Sequence, residues 1–337
     1  MAWKNQILTL VMAILLVLAT TGAVGAAVAT RVLTDVYVLP VAELQTTKTV
    51  PDIIEIENDL ILVRLLPNRG RIVSDYVMKA PELPVYYRQY RPDPMVLPGA
   101  LHSVEFGGYY LSVPWNTRDR QPFDLEYKIV KDTPEVAEVL LYGRDMFTKT
   151  LTEALVRVVE GSSVVEIAVT ITNTSTRREA VFDLSDYAVF YPVGEDTRLL
   201  LPVSGLSVLE SLEGWLGEPG TRLAWPEGWS EWRALERFVS LRSTEAPLVP
   251  AVGMLYPDRS LAFIQTWEPA DLFQTVGFWT WGNDYAYHPG ADAYFVVSGL
   301  TEGVTLAPEE SLSFTVRMSA LSGVEGDASL DELIQLA

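Results

Sequence analysis

The stretch SVVEIAVTITNTS, residues 163–175, decides the fold class. Val165, Ile167, Val169 and Ile171 alternate with Glu166, Ala168, Thr170 and Thr172. Successive side chains of a strand point to opposite sides, so a period of two with one apolar face is the pattern of a half-buried β-strand. Asn173, Thr174, Ser175 and Thr176 then supply turn chemistry, and EAVFDLSDYAVFY (179–191) is expected to return as the partner strand. Asn173-Thr174-Ser175 also has the form of an N-glycosylation acceptor, meaningful only in a host that glycosylates.

Outward from this stretch the same grammar repeats. DIIEIEND and LILVRLL (52–66), RIVSDYVM (71–78) and GYYLSVPW (108–115) read as strands on the amino-terminal side. FVSLRS, LVPAVGMLY, LAFIQTW, FQTVGFWTW, AYFVVSG and SLSFTVRMSA follow between 238 and 320. Prolines bar APELPVYYRQYRPDPMVLPG (80–99) from a regular helix or a central strand, which predicts a long loop packed by its tyrosines. Residues 204–237 mix Gly, Pro and Trp, and are expected to form an irregular, Trp-rich insertion. Ser329 with Glu332 forms a capping box ahead of LIQL, so a short terminal helix is predicted. The expected organisation is one antiparallel all-β domain over 52–321, preceded by a 31–51 linker and followed by a 322–337 tail.

Composition narrows the function classes. The 337 residues are 49% hydrophobic and 20% charged, enough for a large core. Lys and Arg number 25 against 44 Asp and Glu, a formal net charge of −19. A surface this negative repels phosphate backbones, so nucleic acid is not an expected partner, whereas neutral ligands such as sugars are not penalised. The absence of cysteine excludes disulfides, thiolate metal sites and cysteine nucleophiles. His102 and His288 are the only histidines, so no multi-histidine metal site and no cofactor is expected.

The amino terminus has the order of an export signal. Lys4 precedes an uncharged stretch from Asn5 to Thr30, with an apolar run at 7–19 and small residues after it. Ala27-Val28-Ala29 suits a signal peptidase. The same stretch is long enough to remain as a membrane anchor, so residues 1–30 are a signal peptide or an anchor. Either way the rest of the chain is expected outside the cytoplasm, touching a membrane only through this segment.

Four short motifs in order carry a resemblance. They are LLPNRGRI (65–72), FGGYYLSVPW (106–115), VTITNTS (169–175) and LAPEESLSFTV (306–316). Together they resemble the galactose mutarotase-like (aldose 1-epimerase-like) superfamily, over about residues 52–321. The resemblance implies an antiparallel β-supersandwich with a sugar-binding cleft on one concave sheet. It maps the family's early arginine onto Arg71. The family's histidine after Asn falls on Asp186 or Tyr187, and its late glutamate has no counterpart in AYFVVSG, with Glu302 beyond it. The usual acid/base pair is therefore missing.

Two sets of residues are candidates for the site. Acid/base work on a sugar needs groups that titrate near the working pH, which nominates His102, Glu105, Asp186 and His288; the simpler reading of His102 is an ordinary loop histidine, and His288 reads equally as part of a packed aromatic loop. Flat aromatic rings suit the C–H faces of sugars, which nominates Trp115, Tyr187, Trp279, Trp281 and Tyr287, and Arg71 adds a forked donor for hydroxyls or a carboxylate. The opposing reading places about half of the tryptophans in the core and pairs Arg71 with an acid. Three functions fit: an exported protein binding a sugar or glycan, an epimerase or other carbohydrate-active enzyme with substituted acid/base groups, and an envelope structural or assembly factor.

Overall fold

The computed structural model describes residues 27–33, 38–40, 47–49, 52–67, 70–86, 108–112, 125–145, 148–190, 196–211, 217–225, 239–281 and 294–337. Two antiparallel sheets form a sandwich. The larger has 12 strands. Its order is β1 (Ala29–Leu33), β4 (Ile53–Glu57), β5 (Ile61–Leu66), β6 (Arg71–Lys79), β8 (Gly108–Ser112), β13 (Ala180–Phe190), β21 (Tyr294–Leu306), β20 (Thr275–Trp281), β17 (Val239–Ser243), β15 (Gly205–Ser211) and β16 (Arg222–Ala224), with β7 (Glu82–Pro84) alongside β6. The smaller has 8 strands, in the order β14 (Arg198–Leu200), β18 (Ala251–Tyr256), β19 (Leu261–Glu268), β22 (Ser311–Ser322), β12 (Val165–Asn173), β11 (Thr150–Val159), β10 (Val136–Arg144) and β9 (Glu126–Thr133). A two-stranded ribbon pairs β2 (Val38–Pro40) with β3 (Thr47–Thr49).

The alternation in β12 does what its pattern predicts. Val165, Ile167, Val169 and Ile171 are almost fully buried and join one apolar core with the inner faces of both sheets. Each such side chain contributes roughly 1.5–3 kcal/mol. The predicted partner, however, is not one. Strand β13 leaves β12 altogether and pairs in the other sheet with β21 and β8. Asn173 makes this corner. It is fully buried, and its Nδ2 lies 2.8 Å from the Arg178 carbonyl and 3.0 Å from those of Leu306 and Ala307. Its Oδ1 accepts from the Ser175 N–H at 3.0 Å. A glycan on that nitrogen is incompatible with the fold, so the apparent acceptor motif is a structural corner.

Other expectations shift in detail. Part of the expected 80–99 loop is strand β7, and Tyr86, just beyond it, bridges to Phe190 and is buried. Within 204–237, β15 and β16 extend the large sheet, with Leu206 and Val208 in the core. The start of the expected linker is strand β1, which pairs with β4 over Ala29–Leu33, and Val28 packs into the core. The capping box is present: Ser329 Oγ accepts from the Glu332 N–H and Glu332 Oε2 from the Ser329 N–H. It starts helix α1 (Leu330–Leu336), whose Leu333 packs with Ala251, Leu255, Ala262 and Ile264 on the outer face of the smaller sheet. Among the described residues no helix is long and apolar enough to cross a membrane.

Asn173→Ala takes the donor from the buried Leu306 carbonyl and from the part-buried carbonyls of Arg178 and Ala307, and a buried group so left costs roughly 1–3 kcal/mol. Chemical denaturation is expected to show a loss of about 3 kcal/mol, and protein expressed in a glycosylating host should carry no added mass at this residue.

Candidate functional site

The large sheet has two faces, and its outer face carries the candidate site. In β13 the inward residues are Leu184, Asp186, Ala188 and Phe190, and the outward ones are Ser185, Tyr187 and Val189. The neighbouring strands follow in register. Tyr187 pairs with Tyr110, Ser185 with Ser112, and Val189 with Gly108. On the other side Val189 pairs with Val296, which pairs in turn with Trp279. Tyr110, Tyr187, Val189 and Val296 form an apolar cluster separate from the main core, with Trp279 packed against it.

The rings of this cluster are ordered. Tyr110 and Tyr187 stack with centroids 4.8 Å apart and planes 14° from parallel. Trp279 meets Tyr187 edge-on at 5.5 Å. The Arg71 guanidinium carbon sits 3.8 Å from the centroid of the Tyr110 ring. Aromatic pairs of this kind contribute about 0.5–1.5 kcal/mol each, and a desolvated cation over a ring about 2 kcal/mol. Arg71 is only 3% exposed. Its backbone placement comes from the turn before it. There Gly70 takes φ +63° and donates its N–H to the Pro67 carbonyl at 2.8 Å. Gly108 fixes the adjacent strand: a Cβ there would lie 2.3 Å from the Val73 carbonyl oxygen, so only glycine lets β8 approach β6.

The platform is polar at its margins. Ser112 and Ser298 are buried beside it. Ser185 Oγ is buried with no hydrogen-bond partner among the described residues. Toward β1 the sheet carries ion pairs instead: Glu55 with Arg64 at 2.9 Å, and Glu57 with Arg31 at 2.9 Å and Lys79 at 2.6 Å. The hydrogen bond from Lys79 holds the Glu57 carboxyl below its ordinary range.

Of the residues nominated from sequence, the structure brings Arg71, Tyr187 and Trp279 together. It adds Tyr110, which the sequence reading passed over although GYYL places two tyrosines on opposite faces of one strand. The fully buried Phe278 next to Trp279 divides its strand as alternation requires. Asp186 is on the other face. Its carboxylate is buried between the sheets, accepting from the Gly299 N–H at 2.5 Å and from Gln265 Nε2 of the opposite sheet at 3.0 Å. The acid/base role expected of it at the cleft requires the face that Tyr187 occupies. Trp281 ends strand β20, but its side chain is outside the description. His102, Glu105, Trp115, Tyr287 and His288 lie outside the described residues. Among the described residues no three His, Asp or Glu side chains cluster as metal ligands would.

Burial raises the Asp186 carboxyl to about 7, against two donated hydrogen bonds and the Gln265 amide that pull it down. An unfolded aspartate ionises near 3.9. Between about pH 4 and 7 the folded chain keeps the proton and the unfolded chain does not, so this group's contribution to stability falls as pH rises. Asp186→Asn, which is always neutral, should flatten that part of the profile. Denaturation of both proteins from pH 4 to 8 checks this: the variant is expected to gain on the parent as pH rises.

No protein-family model matches the sequence, and no curated protein sequence matches it either. Solved structures do. A TPR-domain containing protein from Parabacteroides distasonis superposes with a TM-score of 0.66 at 15% identity, over 88% of this chain and 55% of the other. The chain thus spans about half the length of that relative. A candidate aldose 1-epimerase from Klebsiella pneumoniae gives 0.59 at 11% identity, covering 88% and 92%. A galactose mutarotase-like protein from Clostridium acetobutylicum gives 0.53 at 10%, covering 80% and 95%. With its two facing antiparallel sheets and this strand order, the chain has the galactose mutarotase-like fold.

Proposed function

We propose that the chain is an exported protein that binds a sugar or glycan on the outer face of its large sheet. The observation that carries this reading is the Arg71–Tyr110–Tyr187–Trp279 array. Trp279, partly buried where it packs on the stacked tyrosines, is the ring of the array left to meet sugar C–H groups. The guanidinium held against Tyr110 fixes that ring with a planar cation, in a geometry a lysine does not reproduce. The buried serines alongside add hydroxyl donors and acceptors, and the net charge of −19 places no penalty on a neutral ligand. Export rests on the order of features in the first 30 residues, and the mutarotase and aldose 1-epimerase names of structural neighbours support a carbohydrate ligand.

The test is a broad glycan array probed with the full chain, with Arg71→Lys and Trp279→Ala alongside. Binding by the parent should fall at least tenfold in each variant, with thermal unfolding midpoints checked for intact folding. Silence of the parent across the array sinks the proposal and leaves the envelope structural role as the reading to pursue. Anomer interconversion followed by NMR separates binding from catalysis. A rate above buffer that His102→Ala or His288→Ala abolishes would make the protein an epimerase.

A further inference from the structure

We infer that the amino-terminal segment stays on the protein as a membrane anchor and seats one end of the sandwich on a lipid surface. This rests on the export reading above and is independent of the sugar. The last residues of the export segment are the first residues of the fold. Val28 is 5% exposed in the core, and its N–H donates to the Pro134 carbonyl at 2.9 Å. Strand β1 starts at the next residue, with Ala29 opposite Glu57 and Thr30 opposite the fully buried Ile56.

Removal at the Ala27-Val28-Ala29 motif would leave Thr30 as the first residue. The chain would lose Val28 from the core and with it the bond to Pro134. It would gain a charged amino group at Thr30, whose Oγ1 is buried, and a charge brought beside buried apolar groups is costly unless it is paired. A cleaved signal needs an apolar run of only about 7–15 residues. Here uncharged residues run without a break from Asn5 into the strand, and about 20 of them are enough to cross a bilayer. Counted from Asn5, they end at Val24. Gly25, Ala26 and Ala27 are then the whole connection to Val28, and at no more than about 3.6 Å per residue they hold the start of β1 within roughly 14 Å of the lipid.

Three turns form that end of the sandwich. Asn58, buried at the turn between β4 and β5, donates from Nδ2 to the carbonyls of Val159 and Ser162, both at 2.8 Å, where β11 turns into β12. The Glu160 N–H donates to the Glu135 carbonyl at 2.9 Å, which brings in the turn between β9 and β10, where Pro134 receives Val28. Leu60 and Val159 are large apolar side chains on these turns, 41% and 37% exposed. An exposed leucine by itself is ordinary; these two stand where the export segment joins the fold. Asp59 and Glu135 beside them are exposed, and Lys79 is paired with Glu57 at 2.6 Å. This end therefore suits a zwitterionic lipid surface better than an anionic one.

The experiment starts with the full chain, expressed from Met1 in a secreting bacterial host, fractionated and weighed by intact-mass spectrometry. It should sediment with membranes through an alkaline wash and keep the mass of all 337 residues. A soluble exported form that begins at Thr30, or at any earlier residue after a cut, overturns the anchor and leaves export standing. A soluble full-length form inside the cell overturns both. The seating is tested in phosphatidylcholine proteoliposomes that contain headgroup-spin-labelled lipid. The chain has no cysteine, so Leu60→Cys and Thr176→Cys each take one fluorophore. Thr176 lies past the far end of β12, whose nine residues span roughly 30 Å. Quenching at position 60 should be at least twofold stronger than at 176. Equal quenching, or stronger quenching at 176, overturns the seating.

Discussion

Apolar contact between the inner faces of the two sheets is the constraint on which the rest depends. Strand β13 makes this concrete. Leu184, Ala188 and Phe190 are buried in the core, and because side chains alternate, their burial forces Tyr187 outward. A slip of one residue would turn Leu184, Ala188 and Phe190 to the outer face and put Tyr187 and Val189 between the sheets. The aromatic array on the outer face is therefore held by the same free energy that holds the core. The same holds for Trp279, whose neighbours Val276 and Phe278 are fully buried.

A few polar groups cross the interior and fix how the sheets sit on one another. Tyr76 of the large sheet donates to the Ser163 carbonyl and accepts from the Ala320 N–H at 3.0 Å, both on the smaller sheet's side. Asp186 reaches Gln265 across the core, and the Tyr86 hydroxyl lies 3.4 Å from Gln265 Oε1. Apolar packing is nondirectional and tolerates small offsets, whereas a buried polar group costs free energy unless its partner is in place. These few bonds select one offset among many that the apolar surfaces would accept. Asp186 keeps an elevated carboxyl pKa as the consequence of that position.

The two outer faces have different fates. Helix α1 covers part of the smaller sheet's, with Leu333 fully buried against it. The large sheet's outer face carries ion pairs toward β1, the arginine–aromatic array at its centre, and the Arg242–Glu302 ion pair toward β17. Arg71 joins the first two regions. It leaves the turn at Gly70 and lies over Tyr110, where a cation is stabilised by the ring and the ring by the cation.

Much of the fold was legible from residues alone. Period-two alternation named β12, short apolar β-like runs named β6, β19 and β22, and the spacing of Ser329 and Glu332 named the terminal helix, since these are local rules that need no partner. The sequence also nominated Arg71, Tyr187 and Trp279. It did not reveal that β12 and β13 belong to different sheets, because a short polar linker looks the same whether it makes a hairpin or a corner; the burial of Asn173 against three carbonyls decides it. Nor did it separate Asp186 from Tyr187, which are adjacent in sequence and on opposite faces in space, or show Tyr110 stacked on Tyr187 from a strand far away in the chain. Local pattern determines which residues form strands and which side of each is apolar. Which strands become neighbours, and so which side chains meet, is set by long-range pairing, and only the tertiary structure decided it.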